Sequence, residues 1–448
     1  MMNYSIIVVS PYSPRWSNIA SVRWEKLSKY ISKNHEVTFI TSSFKESFTE
    51  RRFDLGNARF IEIPLRFYRT NPFSTRLREN LKESTLKRKV KAELRVILEK
   101  ILPVSAGGML YHDVKAYKAE VNKSIESSLR NGLLPVLITT YDPWFTLNIG
   151  RHFKQKYHDK LVWISDFRDP SFDIHESKIS RIPLFNAITR KMLKSADMIT
   201  VVTHKMVEDY RRLTGKEVIF LPNGLDERVP EIYEHIKKDA HTVSVAYTGS
   251  LYPNVRELSY FVKALKEIME TANINVVFEY AGKDASKVVE EFKKVGLENL
   301  LKNHGQVSRD KAMEIQKNSD VLLLIVYTGN NSESGKSIRT GKVYEYLASG
   351  KPIIAIAPTN WEMKEELELD GVSKVFDKSQ TSEIANYLIQ FARNENIKMN
   401  TTARKEVIER YSYNNLARKL EEDIEELISK KFLKSDKEMV KKLHVQKK

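Results

Sequence analysis

The stretch from Pro135 to Pro170, PVLITTYDPWFTLNIGRHFKQKYHDKLVWISDFRDP, decides the fold. It reads as an apolar strand, an amphipathic helix and a second apolar strand. Two buried strands joined by such a crossover run parallel, and helices must then cover both faces of their sheet. Working outward, the same unit recurs. YSIIVVS (Tyr4 to Ser10) and HEVTFITS (His35 to Ser42) flank a helical pattern, and ADMITVVTHKMVEDYRRLTGKEVIFLPNG (Ala196 to Gly224) forms another unit. LDERVPEIYEHIKKDAHT (Leu225 to Thr242) lacks an apolar strand and reads as a linker with some helical character. The alternation then restarts with VSVAYTGS, INVVFEYAG and DVLLLIVY. The pattern therefore predicts an α/β protein of two doubly wound, Rossmann-like domains. YNNLARKLEEDIEELISKKF (Tyr413 to Phe432) is a strong helix outside either series.

A chain of 448 residues exceeds what one growing core accommodates, which agrees with two domains. An apolar share of 41% argues for ordered structure, and no apolar run approaches the roughly 20 residues of a membrane span. YSIIVVS is too short for a signal-peptide core, so export is not indicated. The chain has no cysteine, which excludes disulfides, thiolate catalysis and cysteine-held zinc. Its net charge of +16 calls for anionic partners: nucleic acid, nucleotide phosphates or an acidic membrane. No reading helix or aromatic-basic platform supports nucleic acid. The excess charge gathers in residues 75–102, a basic amphipathic segment read as a surface helix or a membrane-docking face, and in the tail 430–448.

Ligands of open α/β sheets bind at the carboxyl ends of the strands, so the loops there hold the candidates. SPYSPRWSNIASVRW (Ser10 to Trp24) is long but lacks glycine, which rejects a dinucleotide fingerprint or P-loop. TTYDPWF (Thr139 to Phe145) sets hydroxyls and aromatics at a strand end. SDFRDPSFDIH (Ser165 to His175) crowds Asp166, Arg168, Asp169, Asp173 and His175 together. Either Asp166 pairs with Arg168, or Asp169 or His175 contacts a hydroxyl substrate. In YTGSLYPNVRE (Tyr247 to Glu257), Gly249 allows close approach to the backbone, and Ser250 and Arg256 offer donors to phosphate. A plain turn explains that loop equally well.

TGKVYEYLASGKPII (Thr340 to Ile354) predicts a short helix opening on Gly341-Lys342, stopping at Gly350 and entering a strand. Gly335, Lys336, Ser337, Thr340, Gly341 and Lys342 would surround a helix N-terminus, where unpaired amides favour phosphate. Glu345, one turn inside, could accept both hydroxyls of a ribose, or it merely pairs with Lys342.

Taken in order, LITTYDP…VWISDFRDP, VAYTGSLYPN, HGQVSRDKAMEIQKNSDVLLL and GKVYEYLASGKPIIAIAP resemble the GT-B-fold, group 1 (family 4) retaining glycosyltransferases of bacterial surface-polysaccharide synthesis. The resemblance implies two Rossmann-like domains facing across a cleft. Residues 1–225 would be the acceptor-binding domain, with the insertion 75–102; residues 226–242 the linker; residues 243–412 the nucleotide-sugar domain. Residues 413–432 would form a helix crossing back to the N-terminal domain, and 433–448 a basic tail. Glu345 matches the second acid of the family's E-x7-E motif, a ribose contact, while the first acid falls on Ser337. Gly249, Ser250, Arg256, Ser337, Thr340, Gly341, Lys342 and Glu345 would bind the donor, and the usual glycine pair falls on Asn18 and Ile19. Tyr12, Asp142, Asp166, Arg168 and Asp169 would contact the acceptor. Asp169, the nearest counterpart of the family's N-domain histidine, Arg256 and Glu345 would carry catalysis.

No D-x-D metal signature occurs, so transfer is expected without metal or cofactor, the nucleotide sugar being the substrate. The acceptor would be lipid-linked or a saccharide, and the protein cytoplasmic, with an anionic inner membrane face as an option. The competing readings are a catalytically inactive nucleotide-sugar binder or scaffold of the same fold, and a non-hydrolysing nucleotide-sugar 2-epimerase.

Overall fold

The computed structural model describes residues 3–16, 19–43, 51–65, 112–141, 143–169, 183–225, 235–237, 241–393 and 396–445. The basic segment 75–102, Asn18, Asp142, Asp173 and His175 lie outside them. The chain divides into two compact units, residues 1–222 with 416–448, and residues 223–415.

The first unit is built on a parallel seven-stranded sheet of β1 (Tyr4–Val9), β2 (Glu36–Ser42), β3 (Arg59–Ile63), β4 (Leu134–Tyr141), β5 (Val162–Phe167), β6 (Met198–Val201) and β7 (Val218–Phe220). Their spatial order is β3-β2-β1-β4-β5-β6-β7. Helices α1 (Ile19–Ile31), α2 (Val114–Arg130), α3 (Phe145–Tyr157), α4 (Pro183–Leu193) and α5 (His204–Thr214) alternate with the strands. Every residue of β4 is buried, as a central strand covered on both faces requires. Gly150 lets α3 lie on that sheet: a Cβ there would come within 2.0 Å of the Trp163 indole nitrogen, which donates to Thr139 Oγ1 at 3.0 Å.

At the carboxyl end of β2 a polar cluster is sealed in. His112 Nδ1 is 2.5 Å from Ser42 Oγ, which is 2.8 Å from the Tyr117 hydroxyl. All three side chains are buried. Burial holds the imidazole neutral by pushing its pKa down to about 3. The unfolded chain therefore binds a proton between about pH 6.5 and 3 that the folded chain refuses. Stability from this site is complete above pH 6.5 and is lost as pH falls below it. Denaturant titrations should show the stability difference between wild type and His112→Phe falling by about 2 kcal/mol from pH 7.5 to pH 5. A pH-independent difference would refute a neutral His112.

The second unit holds a parallel sheet of β9 (Thr242–Thr248), β10 (Asn275–Ala281), β11 (Leu301–Asn303), β12 (Val321–Ile325), β13 (Ile353–Ile356) and β14 (Lys374–Phe376), in the order β11-β10-β9-β12-β13-β14. A separate antiparallel pair joins β8 (His235–Lys237), within the stretch read as a linker, to β15 (Asn396–Lys398). The helices are α6 (Ser259–Thr271), α7 (Ala285–Lys293), α8 (Arg309–Asn318), α9 (Ser332–Lys336), α10 (Gly341–Ala348), α11 (Lys364–Glu368), α12 (Thr381–Arg393) and α13 (Thr401–Arg410). Finally α14 (Tyr413–Val445) leaves this unit, and its residues from Leu416 onward belong to the first. It runs 13 residues beyond the predicted end at Phe432, because neither glycine nor proline follows to stop it.

Candidate functional site

In the second sheet the strand order reverses between the parallel neighbours β9 and β12, and a crevice for ligands is expected at such a switch point. The loop after β9 is braced from several sides. Gly249 N–H donates to the Ala281 carbonyl at 2.8 Å, and the Tyr280 hydroxyl donates to the Gly249 carbonyl at 3.0 Å. Leu251 N–H donates to Asp284 at 3.0 Å, and the Tyr247 hydroxyl donates to the Ser250 carbonyl at 2.8 Å. A tight turn follows, closed by Arg256 N–H on the Tyr252 carbonyl at 2.7 Å, with Asn254 at φ 62°. It aims the Arg256 side chain back over the sheet, where Nε donates to the Val326 carbonyl at 3.3 Å, just beyond β12.

The predicted Gly341 helix forms as α10, and its spacing sorts the side chains. Val343, Tyr344, Tyr346 and Leu347 are buried, whereas Lys342 and Glu345, three residues apart, share the open face. Lys342 lies across Gly249: a Cβ at that glycine would come within 1.9 Å of Lys342 Cε and 2.1 Å of Nζ. The glycine read as room for phosphate thus also makes room for an ammonium. Burial first, then the Arg256 charge, lowers the Lys342 pKa, and Glu345 opposes them. Neither Arg256 nor Lys342 has an ion-pair partner among the described residues. Thr340 precedes the helix without capping it through its side chain, and its Oγ1 is buried and unpartnered. The result is a helix N-terminus beside two cations with no ion-pair contact among the described residues, a setting for an anion.

Glu345 does not form an ion pair with Lys342. Its Oε1 accepts instead from Gln316 Nε2 at 2.6 Å, a contact between α10 and α8. Ser337 sits at the end of α9, its N–H on the Gly335 carbonyl. At the other end of α10, buried Arg404 donates to the carbonyls of Tyr346 at 3.1 Å, Leu347 at 3.0 Å and Lys351 at 3.0 Å, and pairs with Asp370 at 2.7 Å. This clamp satisfies carbonyls that every helix end leaves open and anchors the end of α10. Sequence reading missed both Gln316 and Arg404. A signal existed for the first: Ala312, Gln316 and Ser319 recur at helical spacing on the covered side of α8.

In the first unit Tyr12, Arg168 and Asp169 gather at the carboxyl edge. Arg168 lies over the Tyr12 ring at 5.9 Å and donates to Asp169 from Nε at 2.8 Å. Asp166 is not part of this group, and Arg168 is not its partner. It is buried against Arg23, which donates to it at 2.9 Å, and accepts from Trp24 Nε1 and Thr200 Oγ1, both at 2.7 Å. Its carboxylate is engaged within the unit on every side, and Asp142 lies outside the described residues. Among the described residues no group of three or more acids and histidines is placed to hold a metal, and no helix is long and apolar enough to cross a membrane.

Residues 242–394, about a third of the chain, match the family described as glycosyl transferases group 1. That span contains every predicted donor contact. No curated protein is similar enough in sequence to count as a match. Among solved structures, the chain is similar to sucrose-phosphate synthase from Thermosynechococcus elongatus, with a TM-score of 0.57 and 12% identity over 95% of this chain and 100% of that one. It is also similar to Anabaena HepE in complex with UDP, with a TM-score of 0.56 and 9% identity over 94% and 100%. A mutant of S. aureus TarM in complex with fondaparinux, α-GlcNAc-glycerol and UDP gives a TM-score of 0.58 and 9% identity over 95% and 100%. With the two parallel sheets, these likenesses establish the two-domain, Rossmann-like GT-B fold.

Proposed function

We propose that the protein is a retaining glycosyltransferase that moves a hexose-type sugar from a nucleoside diphosphate onto a hydroxyl of a saccharide or lipid-linked acceptor in cell-surface polysaccharide synthesis. The observation that carries this reading is the grouping of two cations without an ion-pair contact among the described residues, Arg256 and Lys342, with the N-terminus of α10 and with Glu345 one turn inside it. Cations and amides suit the pyrophosphate, and the acid suits the vicinal diol of the ribose. UDP is the favoured carrier, since HepE and TarM are both described in complex with it. The protein would work in the cytoplasm, where such donors are made, at the inner membrane face if its acceptor is lipid-linked.

In transfer the bond from the anomeric carbon to the diphosphate oxygen breaks as the acceptor oxygen bonds to the same face of that carbon. The acceptor's proton passes to the departing phosphate oxygen. The protein's task is then to stabilise the developing charge on the diphosphate and to orient the hydroxyl. Arg256 and Lys342 serve the first purpose; Tyr12, Arg168 and Asp169 are assigned to the second. Ser337, standing where an acid of the family motif belongs, favours a second reading, a donor-binding protein without turnover. Incubation with UDP-glucose, UDP-galactose, UDP-GlcNAc and GDP-mannose separates the two. Release of nucleoside diphosphate at least tenfold above blank, rising with added acceptor, is the expected result. Saturable binding without release selects the second reading; absence of both binding and release overturns the site.

A further inference from the structure

Gln316 is a polar side chain only 2% exposed, and its amide nitrogen faces two acceptors at once. It donates to Glu345 Oε1 at 2.6 Å and to Thr248 Oγ1 at 2.8 Å. A carboxylate can only accept, so the amide atom against it must be the NH₂ group. Thr248 is held in turn by Tyr346, whose hydroxyl lies 3.2 Å from Thr248 Oγ1 and accepts from Thr248 N–H at 3.1 Å. The chain Tyr346–Thr248–Gln316–Glu345 ties the end of β9 and the last turn of α8 to the open face of α10. A glutamate on a helix surface would otherwise sample several rotamers, and fixing it in one removes that freedom before a ligand arrives.

Resting on the donor reading above, we infer that Gln316 is the positioning residue that makes this site specific for ribonucleotides. By occupying Oε1 it sets the carboxylate plane and leaves Oε2, with the remaining lone pair of Oε1, to accept from two adjacent hydroxyls. A 2′-deoxyribose supplies one hydroxyl fewer, so a fixed acceptor penalises it more than a mobile one does.

Calorimetric binding of UDP, GDP and ADP and of their 2′-deoxy counterparts, to the full chain, tests this. Wild type is expected to prefer the ribose form of whichever nucleotide it binds by roughly tenfold or more. In Gln316→Met, which keeps length but loses the amide, that ratio should fall to within about twofold of unity, with ribonucleotide affinity falling roughly fivefold. Gln316→Glu provides the rescue. Two carboxylates at this distance share a proton at low pH, and the protonated acid can donate as the amide did. Lys342 faces Glu345 as a charged group, and burial and the Arg256 charge lower its pKa, which Glu345 opposes. Discrimination should therefore return at pH 5 and vanish at pH 8. A retained ratio in Gln316→Met, with melting behaviour unchanged, overturns the positioning role alone. If wild type binds none of the nucleotides, the donor reading itself falls and takes this inference with it.

Discussion

Asp166→Ala is expected to unfold the first unit, whereas Asp169→Ala, three residues on, should leave its stability unchanged. Asp166 and Arg23 are each only 1% exposed, and their contact is supplemented by Trp24 and Thr200 on the carboxylate. Two further donors of Arg23 are spent on the carbonyls of Leu221 and Pro222, both at 2.6 Å. These contacts tie α1 to β5 and to the chain that follows β7. Removing the acid leaves a buried guanidinium without its counter-charge, at a cost of roughly 3–5 kcal/mol. Native proteins hold about 5–15 kcal/mol in total. The variant should therefore melt roughly 10 °C lower or more, or accumulate as insoluble protein. Asp169 pairs with Arg168 at the surface, where such a bond contributes about 1 kcal/mol or less. Its replacement should affect acceptor use and not folding. An Asp166→Ala protein with wild-type melting would show that the buried pair contributes little and return Asp166 to the acceptor candidates.

This contrast also shows what local reading could reach. Both sheets were legible, because their strands are continuous apolar runs and the chain repeats the crossover between them. The helix α10 was legible to within a residue or two, because Gly341 opens it and Gly350, at φ 70°, terminates it. The loops offered as donor contacts were chosen by a rule about strand ends, and the structure places them after β9 and before α10. Pairing was not legible. The sequence offers Arg168 to Asp166 and Lys342 to Glu345, each within three residues. The folded chain instead joins Asp166 to Arg23, 143 residues away, and Glu345 to Gln316, 29 away. A buried acid needs donors that arrive from the covering helix, and only the tertiary arrangement says which helix that is. Arg404 was hidden for the same reason: it caps carbonyls of α10 from a helix more than fifty residues further on.

Arg256→Ala is expected to weaken UDP binding roughly 10- to 100-fold, the worth of one or two charge-assisted hydrogen bonds to a diphosphate. Affinity alone would not separate this from general damage to the loop, but its pH dependence does. On the proposed function a diphosphate would be bound by the protonated form of Lys342, and the pKa of that lysine is lowered by burial and by the neighbouring Arg256 charge. In wild type the affinity should therefore depend on that proton. It should fall as pH rises through this depressed range, earlier than an ordinary lysine would impose. With Arg256 gone, one of the two causes of depression is gone, and the fall should move to higher pH. Titrations between pH 6 and 10 thus yield a weaker ligand with a later alkaline limb. The anion would have to be held elsewhere if the alkaline limb of Arg256→Ala coincided with that of wild type. The same conclusion would follow if Lys342→Met left both affinity and pH profile intact. In either case Arg256 and Lys342 would be structural, with Lys342 bridging the loop after β9 to α10 in place of a ligand.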